Sequence, residues 1–493
     1  MYFGILAGRR GLDGSMRPLE IAIVLGLTLS VLQLLSPLRY QWIWIWLVVF
    51  ATLLAMAAHF AFEGYRWQMF PAYGFAIVLV THVYFGWYPG YGNSYMAGVV
   101  GLILICAATV CSTALPVFEL PAPTGRYAVG TQRQRIVDTK RVDPFARDGN
   151  PRELMVQIWY PAEIPNGARL APYREAEATS LWNARYSLAR SRSYSNVPLS
   201  SSQTRYPILL FAPSWLGQRT DDTLLSEELA SHGFIVVGLD HPYSSPITVF
   251  PGGKVVRSRL VAREDYSSQS GFQTFMAAAE EEVRIRTEDA RFVLDSLEGR
   301  NTQHSLQFLN GRIDFDRVGI FGFSIGGGVA AEACWLDRRF KAGLDLDGMI
   351  TNEAAKYGTF APFFFIFGDD PPLPQKPDME INSPEQRQKA FYSDQYWTMR
   401  RSLERYGGYW MEVPDTEHMN FSDAPFYSPL KNLIRRGNLE AERRALIIRG
   451  YTRAFFERHL NHLGQSLLDG PSAEFPEVKF EAVGAKTEER RGG

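Results

Sequence analysis

The residues best suited to covalent chemistry lie in one short segment, Gly322-Phe323-Ser324-Ile325-Gly326. An apolar run, 317–321, precedes it and a stretch of small residues follows, so the pattern predicts a strand, a sharp turn and a helix. Glycines on both sides of the serine leave space where a Cβ would collide with the neighbouring element. The turn would expose the Ser324 hydroxyl at a helix N-terminus, where developing negative charge is stabilised. Ser324 is therefore the candidate nucleophile.

A serine nucleophile needs a base to take its proton and an acid to orient that base. The chain has eight histidines. Only His418 lies in a loop just after a late predicted strand, 409–413, and downstream of the serine. The others lie in apolar segments, before Ser324, or on a closing helix. His418 is the predicted base, and the order serine, acid, histidine is that of α/β-hydrolases.

The acid is left open by the residue pattern alone. Asp345 and Asp347 lie at the end of the strand that follows the nucleophile, and Asp369 and Asp370 lie at the end of the next one. Functional groups collect at strand ends in open sheets, so all four are candidates. Asp345 is the most interior along its strand, where it would form local hydrogen bonds. Asp347 and Asp369 are about equally good candidates for the acid.

An oxyanion hole requires two backbone N–H groups. One is expected from Ile325, the residue after the nucleophile, and the other from the loop 213–217 after the apolar strand 206–212. Trp215 in that loop is a candidate donor and a candidate wall of the pocket.

The elements that must position these residues alternate between strand and helix. Such alternation predicts a mostly parallel sheet covered on both faces, the α/β-hydrolase fold, over residues 119–483. Residues 163–205 are predicted as an insertion with one or two short helices, and 484–493 as a disordered tail. The predicted strands are 153–160, 206–212, 234–239, 317–321, 342–346, 363–367 and 409–413, and the predicted helices are 222–232, 275–297 and 451–463.

Residues 1–118 have a different composition and are predicted as an all-α membrane region of about four transmembrane helices. The apolar segments 19–35, 42–62, 69–87 and 95–115 each have about the length that crosses a bilayer. Basic residues favour the N-terminus and the large C-terminal domain on the cytoplasmic side. The prediction is an integral protein of the inner cell membrane with a cytoplasmic catalytic domain. His59 and His82, inside the spans, are predicted to be structural.

The bulk composition narrows the function classes. There are 51 basic and 52 acidic residues, a net charge of -1, which does not support nucleic-acid binding. Three cysteines provide no disulfide framework, and no Cys/His cluster indicates a metal. The predicted chemistry needs no metal and no organic cofactor, and the oligomeric state is left open.

Several motifs together resemble the plasma (type II) family of platelet-activating-factor acetylhydrolases. The resemblance covers nearly all of 120–482 and excludes the membrane spans. It implies that the acid is Asp347 and the second oxyanion donor is Trp215, although Pro213-Ser214 stands where the family has His-Gly. The segments that carry it are 123–130, 231–241, 322–327, 339–347 and 417–423.

The resemblance implies a membrane-anchored serine esterase that hydrolyses the sn-2 acyl ester of short-chain or oxidised glycerophospholipids. The expected partners are such an ester substrate and the lipid bilayer. One alternative is a broader carboxylesterase or polyester hydrolase with the same triad. Another is a non-catalytic membrane sensor with a hydrolase-like domain.

Overall fold

The computed structural model divides into two compact units, each assembled from separate parts of the chain. The first comprises Met1–Glu119, Pro172–Arg190 and Phe426–Ile434, and the second comprises Leu120–Ala171, Ser191–Pro425 and Arg435–Gly493. The structure describes residues 16–35, 42–84, 90–146, 149–180, 183–260, 264–299, 304–369, 371–374, 381–428 and 439–485. Asp370 and residues 486–493 of the predicted tail lie outside these ranges.

The apolar segments of the first unit form helices. Their bounds are α1 (Pro18–Leu35), α2 (Trp42–Ala58, continued by a π-helical turn, His59–Glu63), α3 (Phe70–Tyr84) and α4 (Gly90–Ala114). Among the described residues, three helices are long and apolar enough to cross a membrane: Pro18–Leu35, Trp44–Glu63 and Tyr95–Ala114.

The third predicted span, 69–87, is described only in part. Helix α3 has 15 residues up to Tyr84, and residues 85–87 of that span lie outside the described ranges. Three helices of spanning length therefore lie within the described residues, and the span over 69–87 stays a prediction.

Small residues let the helices of the first unit approach closely. A Cβ added to Gly26 of α1 would lie 2.1 Å from Oγ1 of Thr52 on α2. A Cβ added to Gly101 of α4 would lie 2.2 Å from the ring of Phe75 on α3. Glycine at these two positions therefore allows closer van der Waals packing between the helices than a larger residue would.

Polar side chains gather where α1 begins and α2 ends. Glu20 and Arg66 form an ion pair at 2.6 Å, and both side chains are 0% exposed. His59 contacts Glu63 through Nδ1 at 2.9 Å and the Tyr73 hydroxyl through Nε2 at 2.5 Å. We call these five residues the membrane-region polar cluster. A structural role for His59 was predicted from the sequence, but its contacts with Glu63 and Tyr73 were not.

Aromatic side chains join the later segments of the chain to the first unit. The Phe118 and Tyr173 rings lie 5.1 Å apart, and the Tyr173 and Tyr427 hydroxyls lie 2.7 Å apart. Arg185, which opens the short helix α5 (Arg185–Leu188), donates to the Tyr427 carbonyl. The first unit therefore includes part of the predicted insertion and a segment that follows the His418 loop.

The second unit is built on a mixed sheet. In chain order the described strands are β1 (Ala128–Val142), β2 (Pro151–Ala162), β3 (Leu170–Pro172), β4 (Arg190–Ser195), β5 (Tyr206–Ala212), β6 (Ile235–Asp240), β7 (Ile247–Val249), β8 (Val255–Arg257), β9 (Ile313–Phe323), β10 (Phe340–Leu346), β11 (Phe363–Phe367), β12 (Gly408–Glu412) and β13 (Lys479–Val483). Within the described ranges, eleven of them form one sheet in the order β13-β12-β11-β10-β9-β5-β6-β2-β1-β4-β3, and β7 pairs with β8.

The centre of this sheet is parallel, and most pairs at its flanks are antiparallel. Strands β6, β5, β9, β10, β11 and β12 pair in parallel. Strand β2 joins β6, β1 joins β2, and β13 joins β12 in antiparallel register, whereas β4 joins β1 in parallel. The mostly parallel α/β sheet predicted from sequence is confirmed. Strands β1 and β4 were missed because polar residues interrupt any apolar alternation there, and β3 was missed because it has only three residues.

Helices cover both faces of the sheet, since alternate strand residues point to opposite sides. The helices are α6 (Thr223–Ser231), α7 (Gln269–Leu297), α8 (Ile325–Leu336), α9 (Asn352–Tyr357), α10 (Pro384–Tyr406) and α11 (Ala441–Asn461). Ile208 and Leu210 of β5 pack with residues of α7, α8, α9 and α10, whereas Leu209 and Phe211 pack with residues of α6 and α11. The parallel strands are therefore continuous apolar runs in the sequence.

Local signals explain where the long helices begin and end. The Ser268 hydroxyl accepts a hydrogen bond from the Gly271 N–H and caps α7, and Ser383 caps α10 in the same way. Helix α10 stops at Gly407, whose φ of 78° favours glycine. Helix α7 begins six residues before the predicted start at 275, since its cap lies in a polar stretch.

Candidate active site

The predicted site residues follow the carboxyl ends of four parallel strands. Ser324 follows β9, Asp347 follows β10, and His418 follows β12 after a short loop. Trp215 follows β5. The next strand of the chain, β6, lies on one side of β5 and β9 lies on the other, so the direction in which strands are added to the sheet reverses at β5. Open α/β sheets form their ligand crevice at such a point.

Ser324 occupies the turn between β9 and α8. Its backbone has φ 59° and ψ -125°, a strained conformation for a residue with a side chain. A Cβ on Gly322 would lie 1.9 Å from the Gly326 carbonyl oxygen, and one on Gly326 would lie 2.0 Å from the Ala212 carbonyl oxygen. The two glycines therefore allow the tight turn that places the serine at the start of α8.

His418 contacts the serine from a short 3₁₀ turn, His418–Phe421. Its Nε2 lies 3.1 Å from Oγ of Ser324. The side chain is 48% exposed, and its ring lies 4.9 Å from the ring of Phe323. The imidazole is accessible and still held against the end of β9.

Asp347 completes the chain of contacts. Its Oδ2 lies 2.6 Å from Nδ1 of His418, and its Oδ1 accepts a hydrogen bond from the Gly368 N–H at 3.0 Å. Its own N–H donates to the Ile366 carbonyl at 2.7 Å. The carboxylate is therefore fixed between the histidine and the neighbouring strand, so it can hold one tautomer of the imidazole.

Asp369 has a different position. Its Oδ1 accepts a hydrogen bond from the Asp415 N–H at 2.6 Å, and its N–H donates to the Thr416 carbonyl at 2.8 Å. Among the described contacts, it braces the loop that carries His418 and does not touch the imidazole. Sequence patterns place Asp347 and Asp369 equally well, because both follow a buried strand.

Asp345 lies beneath the site. Its side chain is buried, and burial, with the neighbouring Asp347 carboxylate, raises the pKa of its carboxyl well above the ordinary value. A Cβ on Gly327 would lie 1.7 Å from its Oδ1. The carboxyl therefore fills the space that a glycine leaves in the first turn of α8.

The two residues predicted to supply the oxyanion hole lie beside the serine's cavity. Ile325 and Trp215 both line the same cavity as Ser324. Among the described backbone hydrogen bonds outside regular helices and strands, neither residue's N–H group is a donor. Both residues therefore stay candidates for binding an oxyanion formed next to Ser324.

The cavity has a volume of about 1070 Å³. Helix α7 contributes Phe275 to its wall, and α10 contributes Phe391 and Tyr392. The sequence did not indicate these contributions, because the three aromatic residues look like ordinary core positions. The lining within the described residues contains carboxylates and no lysine or arginine. Its aromatic side chains are Trp215, Phe275, Phe367, Phe391 and Tyr392, and its acidic ones are Glu264, Asp347, Asp369 and Glu417.

Known proteins resemble this chain in sequence and in fold. The profile of the family described as platelet-activating factor acetylhydrolase, isoform II, matches residues 114–464. A probable 1-alkyl-2-acetylglycerophosphocholine esterase of Arthroderma benhamiae is 24% identical over 416 residues, which cover 76% of this chain and 98% of that protein. A platelet-activating factor acetylhydrolase of Canis lupus familiaris is 26% identical over 252 residues, 47% of this chain and 51% of that protein.

A solved structure covers the same part of the chain. A ferulic acid esterase from Streptomyces cinnamoneus matches with a TM-score of 0.58 and 29% sequence identity, covering 74% of this chain and 99% of that one.

Proposed function

Since the chain belongs to the platelet-activating factor acetylhydrolase isoform II family and is a carboxylic-ester hydrolase, we propose that Ser324, His418 and Asp347 form its catalytic triad. The observation that carries this proposal is the line of contacts from hydroxyl to imidazole to carboxylate, at 3.1 Å and 2.6 Å. An imidazole in this position can take the serine proton while the carboxylate stabilises the cation that forms.

In the first half of the reaction, Ser324 Oγ attacks the ester carbonyl carbon and its proton passes to Nε2 of His418. The carbonyl oxygen becomes negative and accepts hydrogen bonds from the N–H groups of Ile325 and Trp215. When the tetrahedral intermediate collapses, the bond to the leaving alcohol breaks and His418 protonates that alcohol. The product is an acyl-serine ester.

In the second half, His418 takes a proton from water, and the resulting hydroxide attacks the acyl carbon. The acyl–Ser324 bond breaks, and the proton on His418 returns to the serine oxygen. Asp347 holds Nδ1 protonated throughout, which keeps Nε2 free to act as base and acid in turn.

The proposed substrates are glycerophospholipids with a short or oxidised acyl chain at the sn-2 position. Support comes from the relatives in Arthroderma and Canis, whose names specify an acetylated ether phospholipid. The cavity lining, with carboxylates and no described lysine or arginine, favours a zwitterionic or neutral substrate over one with a net negative headgroup. We propose that the membrane region anchors the enzyme in the inner membrane, with the catalytic domain in the cytoplasm.

A second candidate substrate class is favoured by one observation. One matching solved structure is a ferulic acid esterase, and the cavity of about 1070 Å³, with its aromatic lining, has room for an aromatic acyl group. In this case the enzyme would be a broader carboxylesterase.

The test of the catalytic proposal uses the full chain in detergent. We expect a fluorophosphonate probe to label the wild type and not Ser324→Ala, because the phosphonate bonds to an activated serine. A wild type that stays unlabelled, or a Ser324→Ala variant that labels equally, would contradict the proposed nucleophile.

The substrate proposal is tested by a panel of esters. We expect kcat/KM to fall as the sn-2 chain of a phosphatidylcholine lengthens from acetyl, and to be lower for phosphatidylglycerol with the same chains. Faster turnover of methyl ferulate than of every phospholipid would favour the second class.

The proposed orientation in the membrane is tested with a reporter that is active only in the cytoplasm. This reporter should be active when fused to the C-terminus.

A further inference from the structure

A buried ion pair on α7 lies outside the residues considered so far. Nε of Arg286 contacts Oε2 of Glu282 at 2.9 Å, and the two side chains are 1% and 4% exposed. Burial lowers the pKa of the Arg286 guanidinium from its ordinary value, and the Glu282 carboxylate opposes that shift. A buried pair gains little stability over apolar side chains of the same size. Its retained charge therefore suggests a role in positioning.

Arg286 donates hydrogen bonds to the loop that follows β5. Its Nη1 lies 3.1 Å from the Pro213 carbonyl oxygen and 3.0 Å from the Ser214 carbonyl oxygen. The Gly217 N–H also donates to the Ser214 carbonyl, at 2.8 Å. The direction of that carbonyl is therefore determined by two donors.

The Ser214 carbonyl and the Trp215 N–H belong to one peptide unit. In a planar trans peptide, the C=O and N–H bonds point in opposite directions. Holding the Ser214 carbonyl toward Arg286 therefore directs the Trp215 N–H away from α7. Trp215 also lines the cavity that contains Ser324, so the orientation of this peptide governs the proposed oxyanion donor.

The same face of α7 supports the other proposed donor. Ala279 and Val283 pack in one cluster with Ala212 and Ile325. One turn earlier, the Phe275 ring lies 6.2 Å from the Trp215 ring. Residues spaced by three and four positions share a helix face, so Arg286 lies on the stripe that supports the loop and the start of α8.

We propose that Arg286, held by Glu282, is a positioning residue of the oxyanion hole, acting through the peptide between Ser214 and Trp215. This inference rests on the proposed serine-esterase function. It assigns Arg286 no contact with substrate. It predicts that loss of the guanidinium weakens binding of the negative oxygen in the transition state and leaves binding of the neutral ester largely unchanged.

The first test compares Arg286→Met with Arg284→Met in the purified full chain. Arg284 lies on the same helix, but its side chain is 48% exposed and pairs with Glu281 and Glu288. With a p-nitrophenyl ester, we expect Arg286→Met to lower kcat by about 10- to 100-fold with KM changed by less than about threefold. Arg284→Met should match the wild type.

A readout specific to the oxyanion separates positioning from general damage. Sulfur accepts hydrogen bonds weakly, so a thionoester gains little from an oxyanion hole. The ratio of rates for an ester and its thionoester should therefore shrink in Arg286→Met. A purely structural role would lower both rates together and leave the ratio at the wild-type value, which would overturn the proposal.

Chemical rescue supplies an independent measurement. Ethylguanidinium added at millimolar concentration should restore part of the kcat of Arg286→Ala and none of the activity of Ser324→Ala.

If Arg286→Met does not fold, Arg286→Lys takes its place, because an ammonium cannot match the geometry of a guanidinium. An unchanged kcat and ester ratio in Arg286→Lys, with no rescue of Arg286→Ala, would overturn the proposal.

The two hypotheses fail in different ways. If Ser324→Ala retains wild-type activity, the proposed function fails and the Arg286 inference fails with it. If Ser324→Ala is inactive and the Arg286 variants behave like the wild type, only the positioning role fails.

Discussion

In each compact unit an imidazole lies between a carboxylate and a hydroxyl, but the two arrangements differ in almost everything around them. In the first unit, His59 contacts Glu63 at 2.9 Å and the Tyr73 hydroxyl at 2.5 Å. The His59 side chain is 0% exposed, and Glu63 follows it by one helical turn. These partners satisfy both ring nitrogens, as buried polar groups require.

In the second unit, His418 contacts Asp347 at 2.6 Å and the Ser324 hydroxyl at 3.1 Å. This imidazole is 48% exposed and lines the large cavity. Its hydroxyl partner lies at a strained backbone position at the start of a helix. Ile325 and Trp215, whose N–H groups are the proposed oxyanion donors, line the same cavity.

The comparison shows that three functional groups in a row do not make a reactive site. A reactive site also needs space for the substrate carbonyl next to the nucleophile. It needs a nucleophile whose hydroxyl is not bound to other groups, and hydrogen-bond donors for the negative oxygen. The membrane-region polar cluster has the hydrogen bonds without these features. We therefore propose that this cluster serves packing and that the second arrangement serves catalysis.

The largest expected effect separates the two imidazoles directly. His418→Asn should lower kcat by about 10⁴- to 10⁶-fold, since the base is lost. His59→Asn should change kcat by less than about twofold and lower the midpoint of thermal unfolding, because Glu63 and Tyr73 lose a buried partner. Ester hydrolysis and thermal unfolding of both variants in detergent provide the measurement. A strong loss of kcat in folded His59→Asn would contradict the proposal that His59 has only a structural role.

The next effect tests the carboxylate partner of His418. Asp347→Asn should lower kcat by about 10³- to 10⁴-fold, because an amide no longer stabilises the imidazolium. Asp369→Asn should lower it by about tenfold or less, since Asp369 braces the loop through the Asp415 N–H. Steady-state kinetics of the two matched variants decide between them. The reverse order would assign the acid to Asp369.

A smaller effect is expected from the indole of Trp215, the residue whose N–H group is a proposed oxyanion donor. Trp215→Ala keeps the backbone N–H group and removes only the indole wall of the cavity. We expect KM to rise by about tenfold with kcat changed by less than about threefold, because the lost contact is made equally in the ground and transition states. A fall in kcat alone would instead show that the indole acts on the transition state.

The smallest effect concerns a third imidazole, buried in the second unit. Nδ1 of His241 lies 2.9 Å from Asp289. Burial lowers the pKa of His241 below its ordinary value of 6.5, although the Asp289 carboxylate opposes the shift. The folded state therefore favours neutral His241, and this contribution to stability is present above pH 6.5 and is lost as the pH falls below it.

The measurement for His241 is thermal unfolding as a function of pH. The wild type should lose stability on the order of 1 kcal/mol between about pH 7 and about pH 5 from this group. His241→Gln should start less stable and lose less over the same range. A parallel decline in both proteins would show that other groups cause the acid sensitivity.

Local patterns predicted the parts of the molecule whose signals are local. The Gly-x-Ser-x-Gly turn, the apolar strands around it and the apolar helices before residue 118 all follow from spacing within a few turns of chain. The missed parts lack such signals. Strand β1 is rich in polar residues.

The site could be predicted only in part for the same reason. Ser324 and His418 stood out because the motif and the loop position each left one candidate. The residue pattern alone could not separate Asp347 from Asp369, because both follow a buried strand, and only the family resemblance pointed to Asp347. The brace from Asp369 to the histidine loop, and the contact from Arg286 to the Ser214 carbonyl, join residues far apart in sequence.

The amino-acid pattern predicts the class of fold and the candidate nucleophile, since the periodicity of apolar residues and the steric demands of one turn are properties of short segments. Tertiary structure decided which carboxylate reaches His418, which imidazole stays buried, and which helix supports the loop of Trp215. Those outcomes depend on the order of the strands in the sheet and on the packing of α7 against it. Both are set by contacts between distant residues, which no short segment encodes.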